Sequence, residues 1–257
     1  MKQSVFQKVY LFIILLLMYI PMLLVVVYSF NKSNITTVWS GFSISWYSEL
    51  FADREMAEAL KNSIVIALIT SALSAFLGTL AAVGIYKGRS ALDRGIKKLA
   101  SVPLMMPEII TGLLFLLIFS ALGIRLGIFT IVVAHSSFCI PYVYMTVTGS
   151  LEQLDVSTTD AARDLGAGKI RTFFEITVPQ LMPGIVSGAL LSFAMSMDDV
   201  IISFFVTGPG TNTLPVKIYS QLKKGVTPEV NALCTLMLAV TVLIVVLAAV
   251  IGRKKRR

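Results

Sequence analysis

The sequence predicts an all-α polytopic membrane protein, with six transmembrane helices in a single domain over 1–257 and both termini in the cytoplasm. Three observations carry that expectation. The first is composition: 56% of the 257 residues are hydrophobic and the mean hydropathy is +0.84, too apolar for an ordinary soluble domain. The second is length, because six stretches reach the roughly 20 residues that cross a hydrocarbon core of about 30 Å. The third is charge placement. A net charge of +8 in a soluble chain would point to nucleic acid, but here the basic residues sit in short segments beside apolar runs, so no nucleic-acid partner is expected.

The spans fall near 9–30, 62–86, 99–122, 127–148, 184–206 and 229–251. The first apolar run is longer than a signal-peptide core and has no A-x-A-like site after it, so it reads as a retained anchor. Lys and Arg number two in the amino tail, five in 87–98, three in 149–183 and five in the carboxyl tail. The alternate segments hold three in 31–61, one in 123–126 and three in 207–228. The richer set belongs in the cytoplasm. The Arg253–Arg257 tail is explained by this topology signal, and it also carries the charge that anionic lipid head groups attract.

The first external loop, 31–61, holds Trp39, Phe42, Trp46, Tyr47 and Phe51. Two readings stand: aromatics marking the membrane interface, or a short helix meeting an external partner. Asn34-Ile35-Thr36 fits a weak glycosylation pattern. The third span carries Pro103, Pro107 and Glu108. Glu108 lies about nine residues, or roughly 13 Å, from the cytoplasmic end. An ionisable group at that depth marks either a pathway or a protonated bond to another helix.

On the fourth span, His135 is the only histidine. One histidine makes no ordinary metal site, so an interhelical hydrogen bond is expected. Cys139 and Cys234 lie inside apolar runs and read as reduced packing residues. The fifth span contains Asp198-Asp199. Successive residues turn by about 100° on a helix, so two adjacent carboxylates cannot face the same way. Either the helix breaks there, or one aspartate faces a pathway and the other a helix or subunit contact. Gly208-Pro209-Gly210 signals a turn, Leu214 to Lys224 an external helix, and Lys223 and Lys224 solvated charge.

Between the fourth and fifth spans, Asp160 to Pro179 is polar in an otherwise apolar chain. Ser157 and Asp160 have capping-box spacing, which starts a short helix at Thr158. Gly166 stands where a left-handed cap would end it. A second helical piece, Lys169 to Ile176, should stop at Pro179. Ala161, Ala162 and Leu165 share one face, either packed on the protein itself or laid in a partner's groove.

Asp160-Ala161-Ala162, then Gly166, Ile176 and Val178-Pro179 resemble the EAA loop of ABC-importer permeases, with Asp160 in place of Glu and Val178 in place of Leu. Along almost its whole length the chain is also similar to the spermidine/putrescine permeases of that family. The likeness is greatest in 134–143, 160–167, 195–209, 214–233, 19–33 and 46–50. The resemblance implies a bacterial inner-membrane subunit of six helices paired with a homologous permease. It also implies two cytoplasmic ATP-binding cassette subunits and an extracytoplasmic polyamine-binding protein. Asp160, Ala161, Ala162, Leu165 and Gly166 would then couple to the ATPase, and ATP and Mg would bind that partner, with no cofactor on this chain. The sequence agrees with a non-enzymatic subunit: it has no Walker A motif, no metal-ligand spacing and no nucleophile–base set.

A polyamine pathway needs acidic groups at successive depths with aromatic faces between them. Glu108, Asp198 and Asp199 supply the acids, and Phe193 and Phe204 the nearest aromatics in sequence. Two alternatives remain at this stage. One is a permease of the same kind for another solute, such as an aminophosphonate or ferric iron. The other is a gradient-driven carrier that uses the carboxylates for protons, which leaves the Asp160–Pro179 loop unexplained.

Overall fold

The structure, a computed structural model, describes residues 5–33, 38–85, 95, 102–154, 156–224, 228–239 and 242. It divides into two compact units, 1–57 with 218–257 and 58–217. Outside the described residues lie the sequon at 34–36, nearly all of the basic 87–98 loop, about half of the expected sixth span and the basic tail. Among the described residues every regular element is helical, and the one β feature is an isolated bridge between Asn31 and Phe42.

In the first unit, α1 (Val5–Tyr28) is apolar on all sides, as befits a helix surrounded by lipid or other helices. The loop after it is folded around one side chain. Asn31, fully buried, donates from Nδ2 to the Val38 carbonyl (2.8 Å) and accepts from the Ser40 N–H (2.9 Å). Trp46 Nε1 donates to the Asn31 carbonyl at 2.7 Å, and Phe42 stacks on Phe30. The loop contains a short helix, α2 (Ser45–Ala52), which is the local structure of one of the two readings, and Asp53 caps the helix that follows by accepting from the Glu55 and Met56 N–H groups. Residues 228–239 are helical and open the expected sixth span.

The second unit contains most of α3 (Arg54–Ile85), then α4 (Glu108–Ala121), α5 (Ile128–Glu152), α6 (Val156–Asp164), α7 (Lys169–Asp198), α8 (Ile201–Val206) and the start of α9 (Leu214–Lys224). Its spine is α5. Ile131, His135, Cys139, Val143, Val147 and Leu151 recur every four residues and are all buried, a ridge that packs into the groove of α7. Around it are two apolar clusters: Ile66, Phe119, Ile131, Val132, Ala134, Ile202 and Val206, and Ala82, Val143, Val147, Leu151 and Leu181. Ser71 of α3 donates to the Ala189 carbonyl of α7 at 2.7 Å.

Among the described residues four helices, α1, α3, α5 and α7, are long and apolar enough to cross a membrane, and α4 is apolar but shorter. Two expectations need correction, and one open alternative is decided. The third span, expected as one helix over 99–122, is interrupted at Met106-Pro107, and α4 starts only at Glu108. Proline disfavours the helical region for the residue before it. The fifth span, expected over 184–206, comes as two pieces, α7 and α8, parted at Asp199-Val200. Pro179 does not stop the helix that begins at Lys169. The helix widens to a π turn over Phe173–Thr177 just ahead of the proline and then continues as α-helix from Val178. The wide turn suits a residue with no N–H to offer and a ring that crowds the preceding turn. The segment expected to separate the two spans as far as 183 is thus helical and continuous with the fifth span from Lys169 on.

Candidate functional site

The break in the fifth span gathers buried polar side chains, and the sequence explains its geometry. Asp199 leaves the helix with φ −65° and ψ 123°. Its carboxylate then turns onto the start of α8, accepting from the Ile202 N–H (3.3 Å) and the Ser203 N–H (2.7 Å). It therefore caps α8 from one residue ahead of the usual position, with its charge at the positive end of the new helix. Asp199 is only 8% exposed. Of the two arrangements the sequence allowed, the helix is broken, and the two aspartates part company.

His135 completes the arrangement. The ring is fully buried on the ridge of α5. Nδ1 lies 2.8 Å from Ser196 Oγ, and Nε2 lies 3.0 Å from Ser203 Oγ and 3.2 Å from Asp199 Oδ2. A carboxylate next to Nε2 calls for the proton there, so Nε2–H donates and Nδ1 accepts from the Ser196 hydroxyl. The expected interhelical bond is therefore present, and its partners stand on both sides of the break.

Beside this buried cluster opens a cavity of about 310 Å³ lined by Glu108, Phe138, Met195, Asp198, Asp199, Val200 and Ile201. It brings together all three carboxylates singled out in the sequence. Glu108 arrives as the first residue of α4 after Pro107, where the helix dipole favours a negative charge. Asp198 comes from the last turn of α7, and both are exposed on this chain. Phe193 and Phe204 do not line the cavity, and the aromatic wall is Phe138 of α5. Sequence reasoning missed Phe138 and Met195. The usable signal for Phe138 was its place one turn after His135 on the same helix, where the two rings lie 5.5 Å apart. Phe204 stays near Phe205, which packs instead on α4. There a Cβ added at Gly112 would come within 2.6 Å of the Phe205 ring.

At the other end of α7 lies the polar segment. α6 begins at Val156, two residues before the expected start, so Ser157 stands inside its first turn. Capping-box spacing fixes a helix start only to within a turn. The end matches the expectation. Gly166 has φ +86°, and the Ala167 N–H reaches back to the Ala162 carbonyl at 3.0 Å, closing a Schellman cap. Asp160 lies in α6, Ala161 is exposed, and Ala162 is half-buried. Leu165 is 89% exposed, and Ile170 and Phe174 are exposed at 78% and 65%.

Comparison with known proteins follows the same lines. The family of binding-protein-dependent transport system inner membrane components matches residues 74–256. The chain is 45% identical over 228 residues to the putrescine transport system permease protein PotI of Escherichia coli (strain K12), a match covering 86% of this chain and 81% of that one. It is 37% identical to the spermidine/putrescine transport system permease protein PotC of Haemophilus influenzae, covering 99% of both. A subunit in the crystal structure of a bacterial ABC transporter that imports the acidic polysaccharide alginate shares the fold. The TM-score is 0.73 at 14% identity, covering 97% of this chain and 95% of that one.

Proposed function

The chain belongs to the family of binding-protein-dependent transport system inner membrane components, and from that premise we propose that it forms half of the polyamine pathway in an ATP-driven importer. The observation that carries this reading is the meeting of Glu108 and Asp198 in one cavity with Phe138. A polyamine alternates ammonium groups with methylenes. The cavity combines carboxylates with Phe138, Met195, Val200 and Ile201, so charge can meet charge and methylene apolar surface. Carboxylates in a membrane protein are costly, about 2.5–3.5 kcal/mol at a helix centre on insertion scales, and a cationic cargo offsets that cost. Glu108 and Asp198 are exposed on the single chain, which suits a pathway completed by a homologous permease subunit.

The whole chain, 1–257, acts in this reading as one permease domain with both termini cytoplasmic. Asp160, Ala161, Ala162, Leu165 and Gly166 rest on one of two ATP-binding cassette subunits, which bind ATP and Mg, while an extracytoplasmic polyamine-binding protein delivers the cargo. Phe193 and Phe204 serve as aromatic contacts elsewhere along the pathway. Closure of the ATPase pair moves the loop around Gly166 and rocks the helices between outward and inward access.

The test is uptake of labelled spermidine, with putrescine as competitor, in cells with and without this chain and with the neighbouring subunits present. Uptake lost on deletion and restored by the chain is the expected result. Unchanged uptake removes polyamine as the cargo.

A further inference from the structure

We propose that His135 is a positioning residue for the cargo: it ties the two halves of the broken span together and so aims Asp198 into the cavity, an inference that rests on the reading of Asp198 as a cargo ligand. Three observations lead there. His135 occupies one place in a ridge otherwise made of Ile131, Cys139, Val143, Val147 and Leu151, where packing alone calls for an apolar side chain. A buried polar ring at such a place is destabilising unless its polar atoms are satisfied. Its partners all belong to the break: Ser196 in the last turn of α7, Asp199 at the break itself and Ser203 in α8.

The helical ladder is interrupted where Asp199 turns extended. Side chains must therefore set the angle between α7 and α8. Asp199 reaches only forward, to the N–H groups of α8. The imidazole alone reaches back to Ser196 and forward to Ser203 and Asp199 at the same time. Asp198 is the residue before the turn, so a rotation about the break changes how its carboxylate stands against Val200 and Ile201 in the cavity shared with Glu108. The charged groups facing this ring are few: Asp199 touches it, and Asp198 and Glu108 line the adjoining cavity.

Variants that keep one half of the ring's bonding make the test. His135→Gln places an amide near Nε2 and keeps the Ser203 and Asp199 side. His135→Asn places one near Nδ1 and keeps Ser196. His135→Leu keeps neither. The complete transporter is assayed for spermidine uptake, for cargo-independent ATP hydrolysis and for its abundance in the membrane. The expected result is a KM for spermidine that rises about threefold in Gln, about tenfold in Asn and further in Leu, at unchanged basal hydrolysis. A wild-type KM in His135→Leu overturns the proposal, as does Asn performing as well as Gln. If the Leu form does not accumulate, the order of Gln and Asn still decides.

Asp198→Asn is measured alongside. Normal uptake there removes the cargo reading of the cavity. Impaired uptake with a normal His135→Leu removes only the role given to the histidine.

Discussion

The two ends of α7 are both irregular, but they are irregular in opposite ways. At Asp199 the helix breaks, and buried side chains take up every consequence: the carboxylate caps α8, and the imidazole bridges Ser196 and Ser203. At Phe173–Thr177 the helix only widens. The segment leading into it is held by local main-chain bonds and by the Gly166 cap, with Leu165, Ile170 and Phe174 left uncovered. One end is finished by this chain and the other is not. A buried polar network must be satisfied within the chain to be stable at all, whereas an exposed apolar patch waits for a partner to cover it. On this contrast rests the proposal that the first end fixes geometry for a cargo and the second transmits motion from an ATPase.

The sharpest way to break the contrast is to remove charge at the finished end. Asp198→Asn keeps the size of the side chain and leaves the Asp199–His135 cluster untouched. A hydrogen bond to a charged group contributes about 1.5–3 kcal/mol, so uptake should fall roughly 10- to 100-fold at normal assembly. Glu108→Gln should behave alike, because both line the same cavity. Asp199→Asn should differ in kind: it loosens the cap of α8 and lowers the amount of folded protein, with uptake falling in proportion. If all three behave identically, the division of labour between the aspartates is wrong.

The next largest effect belongs to the other end. Gly166→Leu forces a side chain into a left-handed conformation, at about 1–2 kcal/mol, while open space surrounds the site in this chain. The permease should still insert, and ATP hydrolysis by the assembled transporter should persist while uptake drops about tenfold. Uptake and hydrolysis both at the wild-type level would show that the cap has no part in coupling.

Much of this was legible in the residues, for reasons that also explain the failures. Gly166 could be read because a left-handed cap has a local chemical cause. So could Leu214–Lys224, which the sequence delimits with Gly208-Pro209-Gly210 before it and which forms as expected. Glu108 and the aspartates stood out because charge is rare in such apolar surroundings. Phe138 was invisible for the opposite reason, as one apolar residue among many. Phe193 and Phe204 were favoured by closeness in sequence, but neither lines the cavity, and beyond the break at Asp199 the chain carries Phe205 onto Gly112. Pro179 was misread because its effect depends on the turn ahead of it, and a π turn has no single-residue signature.

The smallest effect is the most informative about that turn. Pro179 lies just after the π turn, at the start of the α-helix over Val178–Asp198. In a helix interior proline is about 3 kcal/mol less favourable than alanine. Pro179→Ala restores an N–H and relieves the crowding that favours the wide turn, so the segment can relax to a regular α register. Stability should then rise, read as a transporter melting a few degrees higher. Closing a π turn also rotates everything ahead of it about the helix axis, and with it Ile170 and Phe174 on their exposed face. Uptake should therefore fall about two- to threefold even as stability increases. A gain in stability with full uptake would mean that the register of the unfinished end is set by the partner that covers it. A loss of both would mean that the π turn belongs to the folded core, and the contrast between the two ends of the helix would have to be abandoned.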